Sequence, residues 1–94
     1  MPDTLVTTRL RIRVVYLARL REALHSAGEI FELPADDATV DSLVDALRAR
    51  GGAFAVELAE GRAIRFAVNH RIVARSQAIA DGDEVAIFPP VTGG

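Results

Sequence analysis

Apolar and basic residues alternate near the start of the chain, and this alternation limits the folds open to it. In the segment RLRIRVV, residues 9–15, arginines and apolar residues take turns as far as Arg13. Successive side chains of a strand point to opposite faces of a sheet, so the pattern predicts a strand with one buried and one basic face. The sheet is therefore expected to be covered on one side. Its predicted core-facing residues are Leu10, Ile12, Val14 and Tyr16.

The segment TVDSLVDALRARGG, residues 39–52, has the pattern of an element that covers such a sheet. Thr39 is suited to cap the first free amides of a helix, and Gly51 to end it in a left-handed conformation. Apolar residues recur between them at helical spacing. We therefore predict one main helix across the sheet, with a buried stripe of Val40, Leu43, Val44 and Leu47.

Shorter patterns predict the other elements of the first half of the chain. Residues 18–28 have the apolar spacing of a short helix without a capping side chain, and Gly28 is expected to end it. The segment EIFELP, residues 29–34, predicts a short strand near a sheet edge, because proline cannot donate to a sheet ladder. Residues 53–61 suit either a helical turn or a strand, and a helical turn is favoured.

The last third of the chain predicts a hairpin and a final strand. Residues 63–74 alternate on both sides of Asn69 and His70, which are suited to a tight turn. The segment ADGDEVAIF, residues 80–88, predicts an Asp-Gly turn and a strand with Val85 and Ile87 facing inward. The predicted fold class is α+β, with a mixed sheet of about five strands and the main helix on one face.

Composition excludes several classes of function. The 94 residues suffice for one domain, and a net charge of −2 gives no basic footprint for nucleic acid or anionic lipid. The chain has no cysteine for a thiolate site, and its two histidines, His25 and His70, have no third ligand at metal spacing. No metal site, bound cofactor or membrane span is expected, and the predicted location is cytoplasmic. All eleven basic residues are arginine, so only the amino terminus could accept an isopeptide-type link.

The C-terminal segment FPPVTGG, residues 88–94, is unusual for a chain end. Pro89 and Pro90 fix the backbone and cannot continue a sheet ladder, so a stiff stalk is expected to leave the last strand. Gly93 and Gly94 have no side chains, and the six residues 89–94 reach about 20 Å, enough to enter a deep pocket of another protein. The alternative is a frayed terminus. We predict a flexible N-terminal extension at 1–8, a domain at 9–88 and a protruding tail at 89–94.

An apolar patch is predicted beside this tail. If Val85 and Ile87 face the core, Phe88 must face the other side of the sheet, together with Leu17 and, on the hairpin, Ile72. Single exposed apolar residues are ordinary, and the short helix could cover them. A partner interface is favoured because Phe88 directly precedes the tail.

The segment DGDEVAIFPPVTGG, residues 81–94, resembles the C-terminal signature of the molybdopterin synthase small subunits, a family of ubiquitin-like β-grasp sulfur carriers. AVNHRIVA, residues 67–74, is similar to the hairpin that precedes it in that family. The element order from Arg9 to Gly51 agrees with the same fold. The resemblance therefore implies a β-grasp domain.

The resemblance also implies a chemistry of the chain end. A ubiquitin-activating-like enzyme would use ATP to adenylate Gly94, and a sulfur donor enzyme would then convert it into a thiocarboxylate. The large subunit of the synthase would accept the tail within a heterotetramer, and the sulfur would pass to cyclic pyranopterin monophosphate. The implied partner-binding residues are Leu17, Arg21, Ile72, Phe88, Pro89, Pro90, Val91 and Thr92, and the reactive end is Gly93 and Gly94.

Two other hypotheses stay open on the sequence. A related carrier for thiamin or another pathway, or a protein modifier, would share the activation of the tail and differ in the acceptor. A β-grasp interaction module with an inert tail would retain all its activity without Gly93 and Gly94.

Overall fold

The computed structural model describes residues 8–90 and contains a mixed sheet with helices on one side. In the first half, β1 (Arg9–Tyr16) leads through α1 (Arg19–Ala23) to β2 (Gly28–Pro34), and α2 (Val40–Arg48) follows. In the second half, α3 (Gly52–Glu57) precedes β3 (Arg65–Val68), β4 (Arg71–Val73) and β5 (Glu84–Phe88). The α+β class and the five-stranded sheet are thus confirmed.

The sheet has the strand order β2-β1-β5-β3-β4, and this order places the last strand, β5, in the middle of the sheet. Strands β1 and β5 are parallel neighbours at its centre, and the other pairs are antiparallel. In their register Tyr16 lies beside Ile87, so both strands finish at the same end of the sheet. The chain therefore leaves the domain from a central strand.

The helices and one face of the sheet enclose a single core. Ile12, Val14 and Tyr16 from β1 and Val85 and Ile87 from β5 are at most 1% exposed. All four residues of the predicted helical stripe are fully buried against them. Burial of such side chains contributes roughly 1.5–3 kcal/mol each. The covered face is therefore the one that stabilises the fold.

The main helix is capped reciprocally at its start. The Thr39 hydroxyl accepts a hydrogen bond from the Ser42 amide at 3.1 Å, and the Ser42 hydroxyl accepts one from the Thr39 amide at 2.9 Å. Both amides would otherwise lack a helical partner. The predicted cap is confirmed, and Ser42 completes it.

Most predicted elements are confirmed, and one boundary is wrong. Asn69 and His70 both have positive φ, as a two-residue hairpin turn requires, and residues 52–57 are helical. Gly28, however, begins β2 instead of ending α1. Helix α1 stops at Ala23, and His25 takes the left-handed conformation with φ of 54°.

Candidate functional site: the open face and the tail root

The tail leaves the sheet at Phe88, Pro89 and Pro90, which we call the tail root. Strand β5 ends at Phe88, because proline has no amide hydrogen with which to extend the ladder. The Leu17 amide donates to the Ile87 carbonyl at 3.1 Å, directly before the root, so β1 holds the strand up to that point. All three root residues are partly exposed. Val91, Thr92, Gly93 and Gly94 lie outside the described residues, as do residues 1–7 of the predicted N-terminal extension.

The sheet face opposite the helices, which we call the open face, is apolar near the tail root. Val15, Ala86, Ala67 and Ile72 lie side by side on four neighbouring strands, as the register shows. Ile72 is 70% exposed. The row has small side chains at its centre and a large one at its edge, so its middle can be approached closely by another surface.

Phe88 and Leu17 extend this apolar surface toward the chain end. Phe88 follows Ala86 on the same face of β5, and Leu17, 42% exposed, continues the alternation of β1. Neighbouring strands lie about 4.8 Å apart, so these residues and Ile72 belong to one patch that spans the four strands from β1 to β4. The structure thus brings Leu17, Ile72 and Phe88 to one face. Arg21 is exposed on α1 at the same end of the sheet.

Arginines border the tail root. Arg65 on β3 is the register partner of Phe88 and is exposed. Glu57, at the end of α3, accepts hydrogen bonds from Arg19 at 2.7 Å and from Arg62 at 2.9 Å. These two hydrogen bonds, that of Arg19 first, hold the pKa of the Glu57 carboxyl below its ordinary value. The carboxylate thus stays charged and ties α1 and α3 to the start of β3.

Sequence reasoning found the large apolar residues of the patch and the outward direction of Ala86, and it missed the cross-strand pairing at the centre and the arginine at the border. Ala67 and Ala86 give no signal on their own, since their meaning comes from lying beside Val15 and Ile72. Arg65 likewise matters because it is the register partner of Phe88 on the neighbouring strand. The alternation of apolar residues along β3 and β5 could have found the shared face, but pairing registers are not readable from it.

The arrangement is suited to binding a protein surface. Apolar area removed from water contributes roughly 25 cal/mol per Å², and the patch is continuous across the central strands. Among residues 8–90 there is no group of three or more His, Cys, Asp or Glu side chains placed to hold a metal ion. In the same residues, no helix has both the length and the apolar character needed to cross a bilayer.

Comparisons with known proteins agree with this architecture. Residues 14–94 match the model of the ThiS family. The Escherichia coli molybdopterin synthase sulfur carrier subunit is 39% identical over 83 residues, which cover 88% of this chain and 99% of that protein. The crystal structure of SAMP1, a small archaeal modifier protein from Haloferax volcanii, has a TM-score of 0.71 and 29% identity, covering 89% of this chain and 99% of that one.

A second similar structure is a complex of subunits 1 and 2 of the molybdopterin-converting factor from Helicobacter pylori. The matched chain has a TM-score of 0.58 and 21% identity, covers 90% of this chain and is itself covered completely, so it shows the shared fold. The predicted β-grasp architecture is thereby confirmed. The family model matches most of the chain, and the Escherichia coli relative aligns over almost its whole length. The chain therefore belongs to the ThiS family, and its curated relatives are molybdopterin synthase sulfur carrier subunits.

Proposed function

We propose that this chain is the sulfur-carrier subunit of a molybdopterin synthase in the cytoplasm, and that its working group is the carboxylate of Gly94. The observation that carries the proposal is the 39% identity to the Escherichia coli carrier subunit over 99% of that protein. The position of β5 supports it, because a central strand directs the chain off the sheet through two prolines.

The proposed chemistry begins with activation of the chain end. A carboxylate oxygen of Gly94 attacks the α-phosphate of ATP on a ubiquitin-activating-like enzyme, which releases pyrophosphate and leaves an acyl adenylate. A persulfide of a sulfur donor enzyme then displaces AMP to form an acyl disulfide. A second thiol of the donor system then attacks the donor's sulfur atom in this acyl disulfide. The two donor sulfurs form a disulfide, and the glycyl thiocarboxylate is released. ATP is used by the activating enzyme, and the carrier itself needs no bound cofactor.

The loaded tail then enters the large subunit of the synthase. The thiocarboxylate sulfur attacks cyclic pyranopterin monophosphate, and water then cleaves the acyl–sulfur bond, so that the sulfur stays on the pterin and Gly94 returns to a carboxylate. The Helicobacter pylori complex of two subunits supports a large-subunit partner, and we propose a heterotetramer with a carrier at each end of a large-subunit dimer. The open face, with Leu17, Ile72 and Phe88, binds that partner, and Arg21 adds a polar contact.

The proposal is tested by the intact mass of the carrier. After incubation with activating enzyme, ATP and sulfur donor, the mass is expected to rise by the exchange of one oxygen for one sulfur. Fragmentation is expected to place this change on Gly94. A matched control carries one additional alanine after Gly94. The added residue converts the Gly94 carboxylate into a peptide bond and moves the chain end by one position.

The control is expected to keep its mass and to support no molybdopterin synthesis with the large subunit. An unchanged mass of the native carrier, or full synthesis by the extended one, would contradict the proposal. The native carrier is also expected to restore molybdenum-cofactor synthesis to a strain that lacks its own small subunit, since that assay identifies the acceptor as well as the cargo.

A protein modifier is the second candidate, and the similarity to SAMP1 favours it. A modifier would transfer its activated glycine to lysines of other proteins, where digestion leaves a characteristic remnant of the tail. Mass spectrometry of a cell extract that contains tagged carrier separates the two functions. Tail remnants on many proteins, together with failure to restore cofactor synthesis, would favour the modifier.

A further inference from the structure

A second feature of the tail root is its charge. Arg65 lies directly opposite Phe88 in the antiparallel pair of β3 and β5, on the open face. It is exposed and forms neither an ion pair nor a side-chain hydrogen bond with any other of residues 8–90. A cation at this place therefore faces whatever surface closes on the root.

A cleft of about 370 Å³ adjoins Arg65 at the same end of β3. Its walls include Arg62, Arg65 and Arg75, with Phe66 between them. Arg75 lies 5.5 Å above the Phe66 ring and 3.1 Å from the Asp41 carboxylate. Phe66 pairs with Ile87 and belongs to the covered side, so the cleft opens beside the start of β3, with Arg65 of the open face on its rim.

The charges around the cleft do not cancel. Arg19 and Arg62 share the carboxylate of Glu57, and Arg75 is paired with Asp41. The lining of the cleft contains Arg62, Arg65 and Arg75 and no carboxylate, and Arg65 has no ion pair among residues 8–90, so its positive charge remains as the surplus. Guanidinium groups favour planar carboxylates, which they can bind through two parallel hydrogen bonds.

The tail determines which molecule meets this surplus. A protein that receives the tail in a pocket must close around the tail root, because the six residues from Pro89 reach at most about 20 Å. A nucleotide bound at the chain end would lie near the far end of that reach, away from Arg65. The surface that meets Arg65 is therefore the mouth of the receiving pocket.

We propose that Arg65 and its cleft bind an acidic segment at the mouth of the protein pocket that receives the tail. This inference rests on the proposed function and adds a charge requirement to it. The tail carries a negative group to the bottom of the pocket, while its root carries a positive surplus at the mouth. A fitting partner thus has a basic pocket floor and an acidic rim. A carrier that docked in the reverse orientation would bring like charges together at both places.

The test measures association of the carrier with the large subunit of the synthase by stopped-flow fluorescence. Arg65→Glu is expected to lower the association rate constant about tenfold at low salt, because a charge at the rim mainly changes encounter rates. At about 0.5 M salt the difference is expected to fall below about twofold, since screening shortens the range of the charge. Arg65→Gln is expected to give a smaller loss with the same salt dependence.

Arg71→Glu is the matched control. It makes the same change in net charge on the adjacent strand, but Arg71 pairs with Val68, so it lies about three residues farther from the root and on the other face. It is expected to keep the native rate within about twofold. Circular dichroism and urea midpoints of both variants check that the fold is retained.

Equal rates for native carrier and Arg65→Glu, or equal losses for the two Glu variants, would overturn the inference while thiocarboxylate formation by the native carrier leaves the proposed function standing. A native carrier that neither loads sulfur nor binds the large subunit would overturn both. Calorimetry with inorganic phosphate is expected to show no binding. Saturable phosphate binding that Arg65→Glu abolishes would replace the protein contact with a small-anion site.

Discussion

The two faces of the sheet differ in what packs on them. On the covered face, Ile12 and Val14 are at most 1% exposed, and the helices pack on them. On the open face the same strand presents Arg13, which is exposed, and Val15, which is partly exposed. The two sets alternate along one strand, so the difference arises from side-chain direction alone.

Under the proposed function, the two faces separate folding from binding. The covered face is filled by large aliphatic side chains, and any change there alters packing. The open face has Ala67 and Ala86 at the centre of its apolar row, where small side chains leave room for another surface. Substitutions on the two faces should therefore change different measured quantities.

The largest expected effect lies on the covered face. Leu47→Ala removes a fully buried side chain from α2, and the resulting cavity is expected to lower the free energy of unfolding by about 2–5 kcal/mol. Urea denaturation followed by circular dichroism measures this loss. Val56→Ala, on the exposed side of α3 where the side chain is 59% accessible, serves as the control and should cost less than about 0.5 kcal/mol.

Under conditions where Leu47→Ala is still folded, its affinity for the large subunit should match that of the native carrier within about twofold, because stability and binding reside on different faces. A large loss of affinity in the folded variant would show that the two faces are coupled.

The next effect lies on the open face and concerns binding. Phe88→Arg replaces by a charge the aromatic ring that we propose to face the partner, and calorimetry with the large subunit should show a loss of about 2 kcal/mol, or roughly 30-fold in affinity. The urea midpoint should change little, because Phe88 lies outside the core. Ile30→Arg is a control on the same face at β2, where Ile30 is 50% exposed. Comparable losses of affinity for both variants would place the interface away from the tail root.

The elements themselves could be predicted from the sequence because each depends on local patterns. The strand alternation, the Thr39 cap and the Asn69-His70 turn all act within a few residues, and all are present in the structure. The face of Phe88 followed from the same alternation. The chemistry of Gly93 and Gly94 stays a prediction, since those residues lie outside the described part of the chain.

Gly28 shows why the rest could not be predicted. A left-handed helix end favours glycine, but His25 takes that conformation three residues earlier. The glycine is needed for another reason, because a Cβ atom at position 28 would lie 2.5 Å from the Val14 carbonyl oxygen. That contact is between two strands, so it produces no pattern among neighbouring residues in the sequence. The register that places Arg65 opposite Phe88 is hidden for the same reason.

A cluster that joins the covered face to the sheet edge was also missed by sequence reasoning. The Arg50 guanidinium lies about 5 Å from the ring centres of both Phe31 and Phe54. It donates two hydrogen bonds to Glu29, at 2.7 and 2.8 Å, and the Tyr16 hydroxyl donates to the same carboxylate at 2.6 Å. The hydrogen bonds from Arg50 are the main reason why the pKa of the Glu29 carboxyl is lowered. Burial raises the pKa of the Tyr16 hydroxyl above its ordinary range.

The smallest expected effect comes from this cluster. Glu29→Gln removes the charged acceptor of Arg50 and Tyr16, and it should lower the free energy of unfolding at pH 7 by about 1–2 kcal/mol. Because folding lowers the pKa of Glu29, its contribution is fully present above the pKa of the unfolded chain and is lost as the pH falls through the folded value. The native protein and the variant should therefore converge in stability below about pH 4.

Urea denaturation at several pH values between neutral and acidic conditions measures this convergence. Glu60→Gln is the control, since the Glu60 side chain is 88% exposed and lies 4.0 Å from Arg48, and exposed pairs contribute less than about 1 kcal/mol. A stability difference between native protein and Glu29→Gln that stayed constant with pH would mean that the lost energy is packing around Arg50 and not the charge of the carboxylate. Because the cluster lies on the helix side of the sheet edge, large-subunit affinity should be unchanged in either case.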